Sequence, residues 1–174
     1  MNDQLIVLKD DLWLKRQKHA GRCVSDILKT CGEAISSAQP NLSVKDLENI
    51  ASDLFKSYDC EATFHNYEGF PSKVCISVNK ALVHGVVTDY VLQPGDVVSV
   101  DAGATFEGAI ADAARTWIYG EPKNPLHKML LEAGRKALIA GQNAAKLGNR
   151  LGAIGYAIHK EASKTPFKNV LNYG

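Results

Sequence analysis

The sequence predicts a mixed α/β chain of the α+β kind, with a helix pair, a β-rich middle and a second helix pair. Three observations carry this. Apolar residues recur at three- and four-residue spacing from about residue 12 to 58. Between residues 60 and 119 the pattern changes to short β-prone stretches cut by Gly and Pro turns. Helical spacing returns after Asn124-Pro125. At 174 residues the chain suits one compact domain or a large piece of one.

The first helix follows from Asp10 or Asp11 as a cap and an apolar stripe of Leu12, Ala20, Cys23, Val24, Ile27, Leu28, Cys31 and Ile35. Pro40 ends the linker after it. Ser43-Val44-Lys45-Asp46 reads as a capping-box start, and Val44, Leu47, Ile50, Ala51, Leu54 and Tyr58 form the second stripe. Residues 60–64 and 73–79 are β-prone around a Gly69-Phe70-Pro71 turn, with 81–87 following. After Gln93-Pro94-Gly95-Asp96, the stretches Val97–Val100 and Ala114–Tyr119 read as a hairpin around Phe106-Glu107-Gly108. Pro125 suits a first helical position, so a long helix is expected to about Lys146. A shorter helix is expected from about Arg150 to Ser163, and a last strand from Phe167 to Tyr173.

The helix pairs echo each other. Ala20-Gly21-Arg22 recurs as Ala133-Gly134-Arg135, and Val44, Leu47, Ile50 and Ala51 match Leu151, Ile154, Ala157 and Ile158 at a constant offset. Either a unit is duplicated, or two amphipathic helix pairs simply align. The duplication reading makes 1–119 a first repeat and 120–174 the start of a second.

Composition narrows the function classes. Apolar residues make up 45%, enough for a core. Twenty basic and 19 acidic side chains give a net charge of +1, which makes no case for nucleic acid or an anionic membrane. No apolar run reaches the roughly 18 residues of a membrane span. The polar start Met1-Asn2-Asp3-Gln4 lacks a signal peptide's pattern, so cytoplasm is expected. Cys23, Cys31, Cys60 and Cys75 have no CxxC spacing and read as reduced core thiols.

Asp101 and Asp112 are the most informative residues. A turn centred between Phe106 and Glu107 would set them directly opposite each other on one side of the ribbon. Facing carboxylates repel and raise one pKa. A divalent cation offsets that repulsion, because carboxylate oxygens are hard anionic ligands. The alternatives are a solvated edge, or a bulge that shifts the register. Two carboxylates are also few for a metal that takes four to six ligands.

Several stretches together resemble the type I methionine aminopeptidases, a family of metallopeptidases. They are Tyr67-Glu68-Gly69-Phe70-Pro71-Ser72-Lys73-Val74-Cys75-Ile76-Ser77-Val78-Asn79, then Val83-His84-Gly85, then the run Leu92–Asp101, then Asp112 with Arg115-Thr116. The resemblance covers nearly the whole chain. It implies the pita-bread fold, two related α/β halves with metals between them, here the N-terminal half plus the helix pair of the second. It implies removal of the initiator methionine from new polypeptides. Asp101 and Asp112 would be metal ligands, and His84 would hydrogen-bond substrate. Phe64, Tyr67, Phe70 and Cys75 would line the methionine pocket, and Asn79 would offer a backbone ligand to an alkali-metal ion, Na or K. By chemistry alone His84 and Cys75 read as core residues. The implied cofactors are up to two divalent ions among Co, Fe, Mn, Zn and Ni.

The sequence departs from the family at Ile110-Ala111, where His-Gly is usual, and at Val86-Val87, where Ile-Pro is usual. Val170–Gly174 resembles the lead-in to a Gly-His-Gly segment that would bring further ligands. The chain alone is therefore expected to turn over poorly. The apolar faces of the 125–163 helices are expected to lack a covering sheet, which a homodimer would remedy. Three functions follow: a methionine-specific aminopeptidase acting on peptides with N-terminal Met; an inactive relative binding a peptide, the ribosome or another partner; or a proline-directed or creatinase-like hydrolase. The aromatic and cysteine pocket favours methionine, since a thioether is soft and apolar.

Overall fold

The computed structural model describes residues 8–168 and residue 170. The chain divides into two compact units, Met1–Glu121 and Pro122–Gly174.

In the first unit, α1 (Asp11–Ser36) starts at Asp10, whose carboxylate accepts the Trp13 N–H at 2.7 Å. Its buried stripe includes Ala20, Cys23, Val24, Ile27, Cys31 and Ile35. α2 (Val44–Ser57) opens on a complete capping box: Ser43 Oγ accepts the Asp46 N–H, and the Asp46 carboxylate accepts the Ser43 N–H at 2.8 Å. Hydrogen bonds from Ser43 hold the Asp46 carboxyl below its usual range.

Four antiparallel strands form one sheet: β1 (Glu61–Ala62), β2 (Cys75–Val78), β3 (Val97–Phe106) and β4 (Ala109–Ile118). β3 is the spine. β4 pairs along its whole length, while β1 and β2 share its other side, one toward each end. Val98, Val100, Ala102 and Ala104 are fully buried on the face that joins the α1–α2 core. Gly32 of α1 belongs to this contact, because a Cβ there would come within 2.5 Å of the Trp117 ring. Arg16 of α1 pairs with Glu107 at the hairpin turn at 2.5 Å.

The hairpin register differs from the expected one. Glu107 and Gly108 both take left-handed backbone (φ 45° and 81°), as a two-residue type I′ turn requires. The turn centre therefore lies one residue further along than predicted. Asp101 faces Ala114, and Asp112 faces Gly103. The aspartates are diagonal neighbours, not directly opposed. A one-residue move of the turn shifts the pairing by two, so both acids still share one face.

The other elements are close to expectation. The strands at 97–100 and 114–119 are longer than predicted. Residues 81–87 form no strand, although Ile76 N–H bonds Gly85 O at 2.9 Å. In the second unit, α3 (Pro125–Ala144) has Pro125 at its start and Asn124 as its cap, accepting the Leu126 N–H at 2.9 Å. α4 (Leu151–Ala162) packs on it so closely that a Cβ on Gly141 would come within 2.8 Å of Ile158. Of the strand expected at Phe167–Tyr173, the described residues Phe167, Lys168 and Val170 show no pairing, and the rest lies outside the described residues. Among the described residues no helix is long and apolar enough to cross a membrane.

Candidate metal centre

The sheet has two unlike faces. Strand alternation sends Val100, Ala102 and Ala104 into the core, and turns Asp101, Gly103 and Thr105 the other way. Asp112, opposite Gly103, joins that outer face, and Cys75, opposite Asp101, joins it from β2.

Asp101 is the strained member. It is half-buried, and its Oδ1 is shut off from solvent with no hydrogen-bond partner. Its carboxyl is pushed up to about 6, first by burial and then by the Asp112 carboxylate, with His84 opposing the rise. A buried acceptor without a donor costs on the order of 1–3 kcal/mol. A cation at this position would supply the missing partner and relieve the repulsion. The residues present therefore fit a hard divalent ion. The fit is a pair rather than a cage: no cluster of three or more His, Cys, Asp or Glu suited to a metal occurs among the described residues.

The expected pocket residues lie on different supports. Cys75 is buried, and its thiol is pushed up to about 11 by burial, then by Asp101 and Asp112. It is an inert, apolar wall rather than a nucleophile. Phe64 lies over Gly103, where a Cβ would come within 2.7 Å of its ring. That places the phenyl group beside the strand position facing Asp112. Phe70 is half-buried, whereas Tyr67 is 68% exposed. All three aromatics belong to one tight loop. Tyr67 N–H bonds Phe64 O at 3.0 Å, Phe70 N–H bonds Tyr67 O at 2.9 Å, and Asn66 N–H bonds Phe70 O at 2.9 Å.

His84 is exposed and left-handed at φ 54°, so it is not the core histidine its neighbours suggest. Its backbone is pinned by the residue after it. Gly85 N–H donates to Ser77 Oγ at 3.1 Å, and a Cβ on Gly85 would strike the Ile76 carbonyl at 2.2 Å. Asn79 stands apart from the carboxylates. Its amide donates to Asp96 at 3.0 Å and its oxygen accepts the Val97 N–H at 3.0 Å, closing the β2–β3 connection. Asn79 also borders an open cavity of about 340 Å³ with Val44, Ile76 and Tyr90. Of the expected site residues only Asn79 lines it; the unsatisfied carboxylate marks the chemistry, not this hollow.

Gly103 and Ser77 are contributors that residue-type reasoning passed over. A glycine within the apolar run after Asp101 was the available signal, since an isolated strand glycine marks a close approach. Ser77 gave none.

The Metallopeptidase family M24 model matches residues 15–174. Methionine aminopeptidase from Clostridium acetobutylicum is 32% identical over 170 residues, covering 97% of this chain and 66% of that protein. Methionine aminopeptidase 1 from Bacillus subtilis is 34% identical over 169 residues, with the same coverage. The chain thus spans just under two thirds of these relatives. The crystal structure of methionine aminopeptidase from Thermotoga maritima superposes with a TM-score of 0.85 at 31% identity, over 92% of this chain and 63% of that one. Prolidase from Pyrococcus furiosus, at 20% identity and TM-score 0.76 over 91% of this chain and 44% of that one, shows the shared fold alone.

Proposed function

The chain belongs to metallopeptidase family M24, and from that premise we propose that it carries the ligand pair and methionine pocket of a metal-dependent aminopeptidase that removes N-terminal methionine. The unpartnered buried oxygen of Asp101 on β3, with Asp112 diagonally across from it on β4, is the observation that carries this reading. Asp101 and Asp112 hold the cation, drawn from Co, Fe, Mn, Zn or Ni. A bound divalent ion supplies a hydroxide nucleophile at neutral pH by lowering the pKa of its water. His84 hydrogen-bonds the substrate beside Asp101. Phe64, Phe70 and Cys75 enclose the thioether, with Tyr67 at the mouth. The backbone of Asn79 takes Na or K.

The protein works in the cytoplasm on peptides that begin with Met. A homodimer covers the apolar α3–α4 faces, and the ribosome is a further partner. A two-carboxylate site holds its metal weakly, so turnover by these 174 residues is slow. Residues 1–119 and 120–174 stand as the first repeat and the start of the second.

Titration with Mn²⁺ or Co²⁺, followed by calorimetry, tests the site. Binding that falls at least about tenfold in both Asp101→Asn and Asp112→Asn supports it. Binding unaffected by either change, or no binding at all, leaves only a peptide- or partner-binding domain. Methionine release from a Met-Ala-Ser peptide, lost in Asp101→Asn, tests the reaction. Preference for a peptide with proline in second position would move the assignment to the proline-directed branch.

A further inference from the structure

A strand edge beside the carboxylates carries unpaired backbone. β4 pairs with β3 along one side, and among the described residues no strand pairs with its other side. Gly103 shows which residues turn their backbone outward. The Thr63 N–H bonds Gly103 O at 2.9 Å, so Gly103 directs its peptide groups to the β1 side and not to β4. Asp112, its partner, therefore directs its own N–H and C=O away from β3. Alternation gives Ala114 and Thr116 the same outward groups, and among the described residues none of them has a partner. The edge is also open, with Asp112, Ala113, Ala114 and Arg115 all exposed. Soluble proteins commonly blunt such edges with Pro, Lys or a bulge. Ala109–Ile118 contains neither Pro nor Lys, and its register with β3 is unbroken. Only the end nearest the turn is closed, where Gln17 Nε2 donates to Ile110 O at 2.9 Å.

We propose that this edge receives the substrate: the polypeptide following the N-terminal methionine lies along Asp112–Thr116 as an added strand. This rests on the peptidase reading of the carboxylate face, and it assigns the track of the chain beyond the scissile bond. Asp112 belongs to both places. Its side chain shares a face with Asp101, while its peptide groups open the edge, so the track is continuous with the site. Phe64 and Cys75 come from the β1–β2 side of β3, and the edge lies on the β4 side. A chain held at both crosses the carboxylates between them. Because Gln17 closes the turn end, the added strand runs from Asp112 toward Ile118, parallel to β4. Its alternate N–H and C=O groups pair with those of Asp112, Ala114 and Thr116. Main-chain pairing reads no side chains, which suits an enzyme whose substrates share only their first residue. The single methyl groups of Ala113 and Ala114 leave the approach clear.

The test is calorimetry of the full chain with the tripeptide Met-Ala-Ser and the octapeptide Met-Ala-Ser-Thr-Val-Lys-Thr-Val, in EDTA, which stops turnover, and again in Mn²⁺. Roughly two to four added hydrogen bonds should make the octapeptide bind at least about tenfold tighter. N-methylation of single residues from the fourth to the seventh should weaken binding at alternate positions only, since every second N–H faces β4. Ala114→Pro should reduce the octapeptide to the tripeptide's affinity. It should leave the urea midpoint nearly unchanged, because the lost N–H faces outward. No binding of the octapeptide, affinity that does not grow with length, or an N-methyl scan without alternation would each overturn the proposal, even if Ala114→Pro fails to fold. A dimer seen by sedimentation and abolished by Ala114→Pro would also overturn it, giving the edge to a second copy. If Mn²⁺ finds no site while the length effect and the alternation persist, the metal reading fails and the edge stands. If Mn²⁺ binds and neither effect occurs, the edge fails alone.

Discussion

The two helix pairs of this chain read alike in sequence and have unlike surroundings. α1 and α2 bury Ile27, Ile35 and Leu47 completely against each other and the sheet. α3 and α4 have each other within their unit, and among their described residues Ala137 and Gly141 are buried. Leu126, Met129, Leu138, Leu151 and Tyr156 stay at least 46% exposed. Charge is divided the same way. From residue 122 onward there are nine basic and two acidic side chains, against eleven basic and seventeen acidic before it. The near-zero net charge of the whole sequence conceals an acidic first unit and a basic second one. The lesson is that an amphipathic stripe specifies a helix, while the surface that receives the stripe sets how much stability the helix gains.

Matched substitutions sharpen or break that contrast. Leu47→Ala should cost about 2–5 kcal/mol in urea unfolding, from lost burial and a cavity, whereas Leu138→Ala should cost under about 0.5 kcal/mol. Equal costs would mean that the second pair is as well covered as the first. Gly32→Ala should destabilise by about 1–3 kcal/mol, because the new methyl meets the Trp117 ring. Gly155→Ala, with nothing within 4 Å of the added Cβ, should instead stabilise by about 0.5–1 kcal/mol. In hydrogen exchange, amides of α3 and α4 should exchange faster than those of α1 and β3, and the reverse order would contradict the burial pattern.

The last expected effect concerns pH. Asp101 in the folded protein titrates near 6, above the ordinary 3.8. The native state therefore holds a proton that the unfolded chain has already lost between these values. This contribution is fully present below about pH 4 and is lost as pH rises through 6. In EDTA, the urea midpoint of the wild-type protein should fall relative to Asp101→Asn over that interval. A parallel pH dependence for the two proteins would show that Asp101 is not perturbed as described.

The helices were legible because their signals are local. Asp10, the Ser43–Asp46 box and Asn124-Pro125 fix starts through bonds within one turn, and apolar spacing fixes the faces. Strand lengths were less legible. The Ala102-Gly103-Ala104 run carries no alternation to extend β3 past Asp101. The hairpin register was missed by one turn position, because nothing in the sequence announces that Glu107 takes a left-handed φ beside Gly108.

By itself the sequence determined the order of elements, the helix caps and the shared face of Asp101 and Asp112, since side-chain alternation along a strand is a local property that survives a two-residue change of register. Only the tertiary structure decided that Asp101 Oδ1 is left without a donor, that Phe64 covers Gly103, and that Gly85 packs against Ile76 and Ser77. Each of these is a meeting of residues distant along the chain or a shielding from water. Such meetings depend on how whole elements pack, and no single stretch of sequence contains that information.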